Sequence, residues 1–262
     1  MPFLRANDLD IYYEIHGEGT PLVMICGFRT NLLSWKDYVK PLSKHYKLVL
    51  FDNRGVGQTE APEIPYSIEM MAEDTSALME ALNIPDAHFY GHSMGASIVM
   101  RMCIEHPDKV RKAMLGAAAA KLPDTTKLVI EASSKLFEHA PKELVFESLF
   151  PWFYSNTFLS DPENVKQAVH ERLHNPYPQS PAGYYGQKDA VIQYDLREDL
   201  KKIQAKTLIV AGEEDLCTPS FCHQFLMKHI PDAKLAMIKQ QAHAFHLERP
   251  QEVMELMRKF FH

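Results

Sequence analysis

The sequence predicts an α/β protein with a mostly parallel sheet that helices cover on both faces. Short apolar runs alternate with helical stretches over most of the 262 residues, a pattern typical of parallel strands joined by crossover helices. One of these runs, Ala87–Tyr90, leads through a glycine-flanked serine into a helical stretch. Between about residues 120 and 180 the strand pattern stops and aromatic segments take its place, which indicates a helical insertion.

The individual elements follow from the apolar pattern in chain order. Ile11–Ile15 alternates between apolar and polar residues and is followed by Gly17, so we expect an antiparallel strand at an edge of the sheet. Helical spacing of apolar residues predicts helices over Ile68–Leu82, over Ala96–Met102 and after Pro250. Continuous apolar runs predict six short buried strands, at Leu22–Cys26, Lys47–Phe51, Ala87–Tyr90, Val110–Leu115, Lys206–Ala211 and Lys234–Ile238.

The insertion predicts a division into three parts: a first core part at residues 1–119, a helical cap at 120–181 and a second core part at 182–262. The insertion carries the aromatic segment Phe146–Tyr154 and closes with the proline-rich stretch Asn175–Pro181, through which a helix does not continue. An insertion between two strands lies over the strand ends, where the sites of α/β proteins form. The alternative is a set of extra helices that only pack.

The charge balance excludes several classes of function. There are 28 Lys and Arg residues against 34 Asp and Glu, a formal net charge of −6, which leaves no basic excess to favour nucleic acid or an anionic membrane. The first residues contain no apolar stretch long enough for a signal peptide or a membrane span. We therefore expect a soluble, cytoplasmic protein, a monomer or homodimer, that acts on a small-molecule substrate.

The cysteines and histidines show no spacing typical of a metal site. None of the 4 cysteines forms a C-x-x-C pair, and the 13 histidines include no H-E-x-x-H motif. We expect reduced thiols, no metal and no cofactor.

The segment Gly91–Gly95, Gly-His-Ser-Met-Gly, has the pattern G-x-S-x-G between a predicted strand and a predicted helix. A serine on so tight a turn holds its hydroxyl clear of the backbone. The helix that follows points free N–H groups at whatever the serine attacks. We interpret Ser93 as a nucleophile, and the alternative is an accidental turn.

A serine nucleophile needs a nearby base, and the base needs a third group that orients it. In this kind of sheet the expected chain order is serine, acid, histidine, with the last two on loops after later strands. Asp215 follows one such strand and a glycine turn, and the loop after the next strand carries His243 and His246.

Five segments together resemble the α/β-hydrolase superfamily, and within it small esterases and lactonases of the enol-lactonase type are most similar. The resemblance covers nearly the whole chain outside the insertion. It implies a triad of Ser93, Asp215 and His243, because the family patterns G-x-x-D and the last histidine block fall on the latter two. The five segments are Ile25–Phe28, Asp52–Gly57, Gly91–Gly95, Gly212–Asp215 and His243–Pro250.

The resemblance also implies roles for the neighbours of the triad. Glu213 and Glu214 are expected to be solvated turn residues, and His246 a histidine of the pocket wall. His92 is expected to be structural, because the turn directs it away from Ser93.

For the oxyanion hole, the resemblance implies the backbone N–H groups of Phe28 and Met94. The chain departs from its relatives at Cys26 and Gly27, where they usually have His-Gly. Cys26 is expected to be a buried structural thiol, although a second nucleophile is the alternative. The donors are backbone groups, so this departure need not remove the hole.

Substrate contacts are expected from the oxyanion loop and from the insertion. Arg29 is placed to meet a substrate carboxylate, and the alternative is an ordinary solvated arginine. Phe28, Met94, Trp152 and Phe153 are expected to supply apolar wall.

The function predicted from these residues is a serine hydrolase that cleaves a small carboxylic ester or lactone through an acyl-enzyme. Two other reactions use the same triad, namely hydrolysis of a carbon–carbon bond and perhydrolysis. A slow small-molecule receptor is the alternative from another class, because this fold also serves as a sensor.

Overall fold

The computed structural model describes residues 3–262 and contains a central sheet of eight strands. The strand order is β1-β2-β4-β3-β5-β6-β7-β8, and β3 to β8 run parallel while β1 and β2 pair antiparallel. This arrangement confirms the predicted fold class. The strands are β1 (Phe3–Ala6), β2 (Leu9–His16), β3 (Thr20–Ile25), β4 (Tyr46–Phe51), β5 (Ala87–His92), β6 (Val110–Gly116), β7 (Lys206–Gly212) and β8 (Ala233–Ile238).

Two predictions about the sheet margins are wrong. The strand predicted at Ile11–Ile15 is antiparallel but is not at the edge, because β1 pairs along its outer side, with Ala6 opposite Leu9. The strand at Lys234–Ile238 is predicted to be buried, but it forms the opposite edge of the sheet. Of its residues only Ile238 is buried, since no further strand covers it.

Helices connect the strands and cover both faces of the sheet. The helices predicted around Ile68, after Ser93 and after Pro250 are all present, and the Ser67 hydroxyl caps the first of them by accepting from the Met70 amide. Within residues 3–262, no helix combines the length and apolar character needed to cross a membrane. The helices are α1 (Lys36–Leu42), α2 (Ile68–Ala81), α3 (Met94–Glu105), α4 (Asp124–His139), α5 (Lys142–Phe153), α6 (Asn156–Leu159), α7 (Pro162–Leu173), α8 (Pro181–Gln193), α9 (Ser220–His229), α10 (Phe245–Glu248) and α11 (Pro250–Phe261).

The core lies on both sides of the sheet, as continuous apolar strands require. Alternate residues of β3 show this directly, because Val23 and Ile25 pack into one cluster with α2 and α3. Leu22 and Met24 pack into the opposite cluster with α1 and α11.

Five helices, α4 to α8, lie between β6 and β7, and we call them the cap helices. They share an apolar cluster, in which α5 buries Phe146 and Phe150, Tyr154 follows that helix, and α7 buries Ala168 and Val169. The helical segment continues to Gln193, past the residue where the sequence predicts the return to the core. The three-part division at residues 119 and 181 stays a prediction.

The helix α8 lies directly against the core loop that follows β4. A Cβ added to Gly183 would come within 2.0 Å of the Gly55 carbonyl oxygen, so only glycine allows this approach. Four residues further along α8, the Gln187 side chain donates to the Arg54 carbonyl at 2.9 Å and accepts from the Arg29 amide at 3.1 Å. The cap is therefore joined to the loop that follows β3.

The loop after β4 is held from below by a buried ion pair. The Arg54 guanidinium donates to both carboxylate oxygens of Asp74 on α2, with 2.6 Å between Nη2 and Oδ1. Both side chains are about 95% removed from solvent. The Arg54 side chain therefore faces inward and supports the loop.

Replacing Asp74 by alanine is expected to lower the free energy of unfolding by about 3–5 kcal/mol, because the Arg54 charge then stays buried without its partner. Urea unfolding measures the change. The matched control is Asp195→Ala, which breaks an exposed pair with Arg197 and should leave the midpoint almost unchanged. Equal midpoint shifts in the two variants would contradict the structural role of the buried pair.

Candidate active site

Ser93 stands at the sharp turn between β5 and α3. Its φ is +56°, in the left-handed region that residues other than glycine seldom adopt. The turn closes only because its flanking glycines lack side chains: a Cβ on Gly91 would lie 2.2 Å from the Gly95 carbonyl oxygen, and one on Gly95 would lie 2.2 Å from that of Ile25. The Ser93 amide donates to the Gly116 carbonyl at 2.8 Å and secures the turn to β6.

The structure brings Ser93 together with the two side chains that the sequence analysis pairs with it. His243 Nε2 lies 2.9 Å from Ser93 Oγ, and His243 Nδ1 lies 2.9 Å from Asp215 Oδ2. The three residues follow the carboxyl ends of β5, β7 and β8. This geometry is suited to moving a proton from the hydroxyl to the imidazole.

Asp215 is held ionised by its surroundings. Its Oδ1 accepts from the amides of Cys217 and Thr218 at 2.8 and 2.9 Å, and its Oδ2 accepts from the Thr218 hydroxyl at 2.7 Å. Burial opposes ionisation, but the charge and hydrogen bond of His243 and the bonds from Thr218 outweigh it, so the pKa of Asp215 lies below its ordinary value. The aspartate can orient the imidazole and balance its positive charge.

Two further histidines pack behind His243. The ring of His92 lies 5.4 Å from that of His243 and 3.7 Å from that of His246, between ring centres. Burial, and then the nearby His243 charge, lowers the pKa of His246 to about 3. Burial, followed by the charges of His246 and His243, lowers the pKa of His92 well below its usual value. Both are therefore harder to protonate than an ordinary histidine.

The two residues predicted to supply oxyanion donors lie on segments next to Ser93. Met94 is the first residue of α3, and Phe28 follows Gly27, whose added Cβ would come 3.2 Å from the Ser93 Cβ. Among residues 3–262 neither amide donates a backbone hydrogen bond, so both remain available to a ligand.

Cys26 has the surroundings of a structural thiol. Its Sγ donates to the Asn31 carbonyl at 3.1 Å, and its own carbonyl accepts from the Asn53 amide group at 3.0 Å. Burial raises the pKa of this thiol well above its ordinary value. A thiol that does not ionise is a poor nucleophile.

A cavity of about 110 Å³ contains Ser93 and His243 in its lining, together with residues of the cap helices α4, α5, α7 and α8. Trp152 and Phe153, both predicted to contact substrate, line it, and the Phe153 ring lies 5.7 Å from that of His243. The Met94 side chain does not line it, contrary to expectation, because it points into the core on the sheet side of α3.

Arg29 lies at the meeting point of this cavity and two neighbouring ones. The sequence analysis did not single out Arg172, near the end of α7, which lines the same three cavities. Nothing in the local sequence distinguishes Arg172 from a surface arginine of an amphipathic helix. Only the folding of the insertion brings it over the site.

One group of potential metal ligands coincides with this site. Ligand atoms of Asp215, Cys217 and His243 lie within 4.8 Å of one another. All three are already engaged, because Cys217 Sγ donates to the Trp152 carbonyl at 3.2 Å and the other two bond to each other. These contacts favour a proton-transfer role over metal binding.

Comparison with known proteins agrees with the fold. A family model described as the alpha/beta hydrolase fold matches residues 20–250. The chain belongs to the α/β-hydrolase family. It is an enzyme of the hydrolase class.

Three relatives illustrate the range of names within this family. A protein of Azorhizobium caulinodans named as a carbamate hydrolase, RutD, is 27% identical, with 99% of this chain and 98% of that protein covered. The 3-oxoadipate enol-lactonase 2 of Acinetobacter baylyi is also 27% identical, with 95% of this chain and 91% of that protein covered. The crystal structure of the enol-lactonase from Burkholderia xenovorans has a TM-score of 0.89 at 24% identity and covers 99% of both chains, a likeness of fold.

The depressed pKa of His246 makes acid destabilisation a testable property. In the unfolded chain a histidine takes up a proton near pH 6.5, whereas folded His246 does so only near pH 3. The contribution of neutral His246 to the free energy of unfolding is therefore fully present above about pH 6.5. It is lost as the pH falls toward 3, by up to about 1.4 kcal/mol per pH unit. His246→Gln is expected to reduce that slope, measured by urea unfolding at several pH values.

The control is His139→Gln, since the His139 side chain is 79% exposed and should leave the slope unchanged. An undiminished slope in His246→Gln would show that His246 is not a source of the acid sensitivity.

Proposed function

We propose that this protein is a serine hydrolase that cleaves a small carboxylic ester or lactone through an acyl-enzyme. Ser93 is the nucleophile, His243 the general base and acid, and Asp215 the residue that orients and stabilises the imidazole. The amides of Phe28 and Met94 hold the oxyanion. Trp152 and Phe153, with Arg29, contact the substrate.

The reaction proceeds in two halves. Ser93 Oγ attacks the substrate carbonyl while His243 Nε2 takes the hydroxyl proton, and the imidazolium then gives that proton to the leaving alcohol oxygen. In the second half, water loses a proton to His243 and attacks the acyl carbon. The bond to Ser93 Oγ then breaks, the imidazolium returns its proton to that oxygen, and the acid is released. Each tetrahedral intermediate places its oxygen between two backbone donors, each contributing about 10²–10³-fold in rate.

The single observation that carries this proposal is the pair of 2.9 Å contacts on the two nitrogens of His243. The depressed pKa of Asp215 supports it, because an ionised aspartate is needed opposite the imidazolium. The name of one relative, the 3-oxoadipate enol-lactonase 2 of Acinetobacter baylyi, supports an acyl substrate with a carbon–oxygen bond. The cap, proposed at residues 120–181, covers the cavity and selects the substrate.

Covalent labelling by a fluorophosphonate tests the nucleophile. We expect a single modified residue, Ser93, located by peptide mass, and no labelling in Ser93→Ala. Modification of another residue in the wild-type protein would overturn the assignment. The labelled protein should also lose hydrolysis of short-chain esters in proportion to its labelled fraction.

The choice between the two histidines of the last loop has a separate test. His243→Ala should lower kcat for a short-chain ester by at least about 10⁴-fold, because the base is lost, whereas His246→Ala should retain a measurable rate. Steady-state kinetics on folded variants, checked by circular dichroism, provide the comparison. The reverse order of activities would assign the base to His246.

A wild-type turnover far below about one per minute, several orders under typical enzymes, would instead favour the receptor alternative. In that case a ligand should raise the melting temperature strongly while it stays chemically unchanged.

A further inference from the structure

The Arg29 guanidinium is a positive charge with no negative partner among residues 3–262. No ion pair involves it and its side chain donates no hydrogen bond to another protein group. Arg29 is half-buried, and a charge largely removed from solvent is normally paired. Burial, and then the positive charge of Arg172, lowers the pKa of Arg29 to about 10, so it still carries its charge at neutral pH.

Aromatic rings hold this guanidinium in one place. Its central carbon lies 4.2 Å from the ring centre of Phe137, 5.2 Å from that of Tyr184 and 5.8 Å from that of Phe146. Rings at these distances attract the cation and orient its plane. They offer no negative charge, so the hydrogen-bonding edge of the guanidinium remains unmatched.

The backbone of Arg29 is also unusual. Its φ is +62°, a conformation that costs free energy for a residue with a side chain and tends to occur at functional sites. The Gln187 side chain holds it there by accepting from the Arg29 amide. The loop that supplies the Phe28 amide to Ser93 thereby fixes the arginine next to it.

The cavity that contains Ser93 has two arginines and no acidic side chain in its lining. The second arginine is Arg172, which also forms no ion pair among the described residues. One adjoining cavity has Glu138, which already accepts from the Tyr185 hydroxyl, and the other has Asp37 and Glu171. Two unpaired guanidinium groups thus face a space beside the nucleophile that contains no negative group.

We propose that Arg29 and Arg172 form a subsite for a carboxylate, so that the preferred substrates are esters or lactones bearing a second, ionised carboxyl group. A planar guanidinium matches a carboxylate with two parallel hydrogen bonds. One arginine belongs to the oxyanion loop and the other to the cap, so the anion joins the two. This inference rests on the proposed function and specifies its substrate class.

The test compares anionic and neutral substrates of equal length. Monoethyl succinate, glutarate and adipate are set against ethyl butanoate, pentanoate and hexanoate, and released ethanol gives kcat/KM for each. We expect at least about a 10-fold preference for the anionic ester at one chain length. Arg29→Gln and Arg172→Gln should each reduce that preference about 10- to 100-fold, the effect of losing a hydrogen bond to a charged group.

The control for overall charge is Arg111→Gln. Arg111 lies at the start of β6, at the opposite end of the strands, and pairs on the surface with Asp86. It should leave the preference unchanged. No anionic preference at any length in the wild type, an unchanged preference in both cavity variants, or an equal loss in Arg111→Gln would each overturn the proposal.

A binding measurement separates this inference from the proposed function. Succinate, glutarate or adipate should raise the melting temperature of Ser93→Ala, and adding Arg29→Gln or Arg172→Gln should remove the shift. Binding without any Ser93-dependent ester hydrolysis would reject the proposed function and keep the subsite. Hydrolysis of neutral esters without any dicarboxylate effect would keep the function and reject the subsite.

Discussion

The turn at Ser93 depends on two missing Cβ atoms, and the rest of the site is arranged around it. Gly91 lies against the backbone of Gly95, and Gly95 against that of Ile25, at distances that leave no room for a Cβ. Because neither residue has one, β5 can pass into α3 within a single residue. That residue is driven to a φ of +56°, which raises its hydroxyl above the sheet. Parallel neighbours on one side of β5 then bring Asp215 and His243 to the same edge, since their loops leave the carboxyl ends of β7 and β8.

The electrostatics of the site depend on two groups of residues, the buried histidines beside His243 and the two arginines of the cavity lining. Burial lowers the pKa of His92 and of His246, and His243 is the histidine that pairs with Asp215. In the lining of the same cavity, Arg29 and Arg172 form no ion pair among residues 3–262. Under the proposed function, a substrate places its reactive carbonyl at Ser93 and a negative group at the two arginines.

Features fixed by local chemistry were predictable from the sequence. The strand–serine–helix turn and the helix after Pro250 depend on neighbouring residues, and the loops of Asp215 and His243 follow from chain order. Features that depend on distant packing were not. The outer strand β1 is only four residues long, too short for periodicity to reveal it. The cage around Arg29 joins residues more than a hundred positions apart, and the inward direction of the Met94 side chain depends on how α3 sits on the sheet. The roles of the triad residues remain predictions, although their side chains lie within hydrogen-bond distance.

The contact between α8 and the core has a consequence for chimeric enzymes. Gly183 touches Gly55 backbone to backbone, and Gln187 holds both the Arg54 carbonyl and the Arg29 amide. A cap taken from a homologue therefore needs a glycine at position 183 for the close approach and a glutamine at position 187 for both hydrogen bonds. Without these residues α8 cannot approach the core as closely, and the loop that carries Arg29 loses the hydrogen bond that Gln187 accepts. The cap helices and the loop beside Ser93 therefore have to be exchanged together.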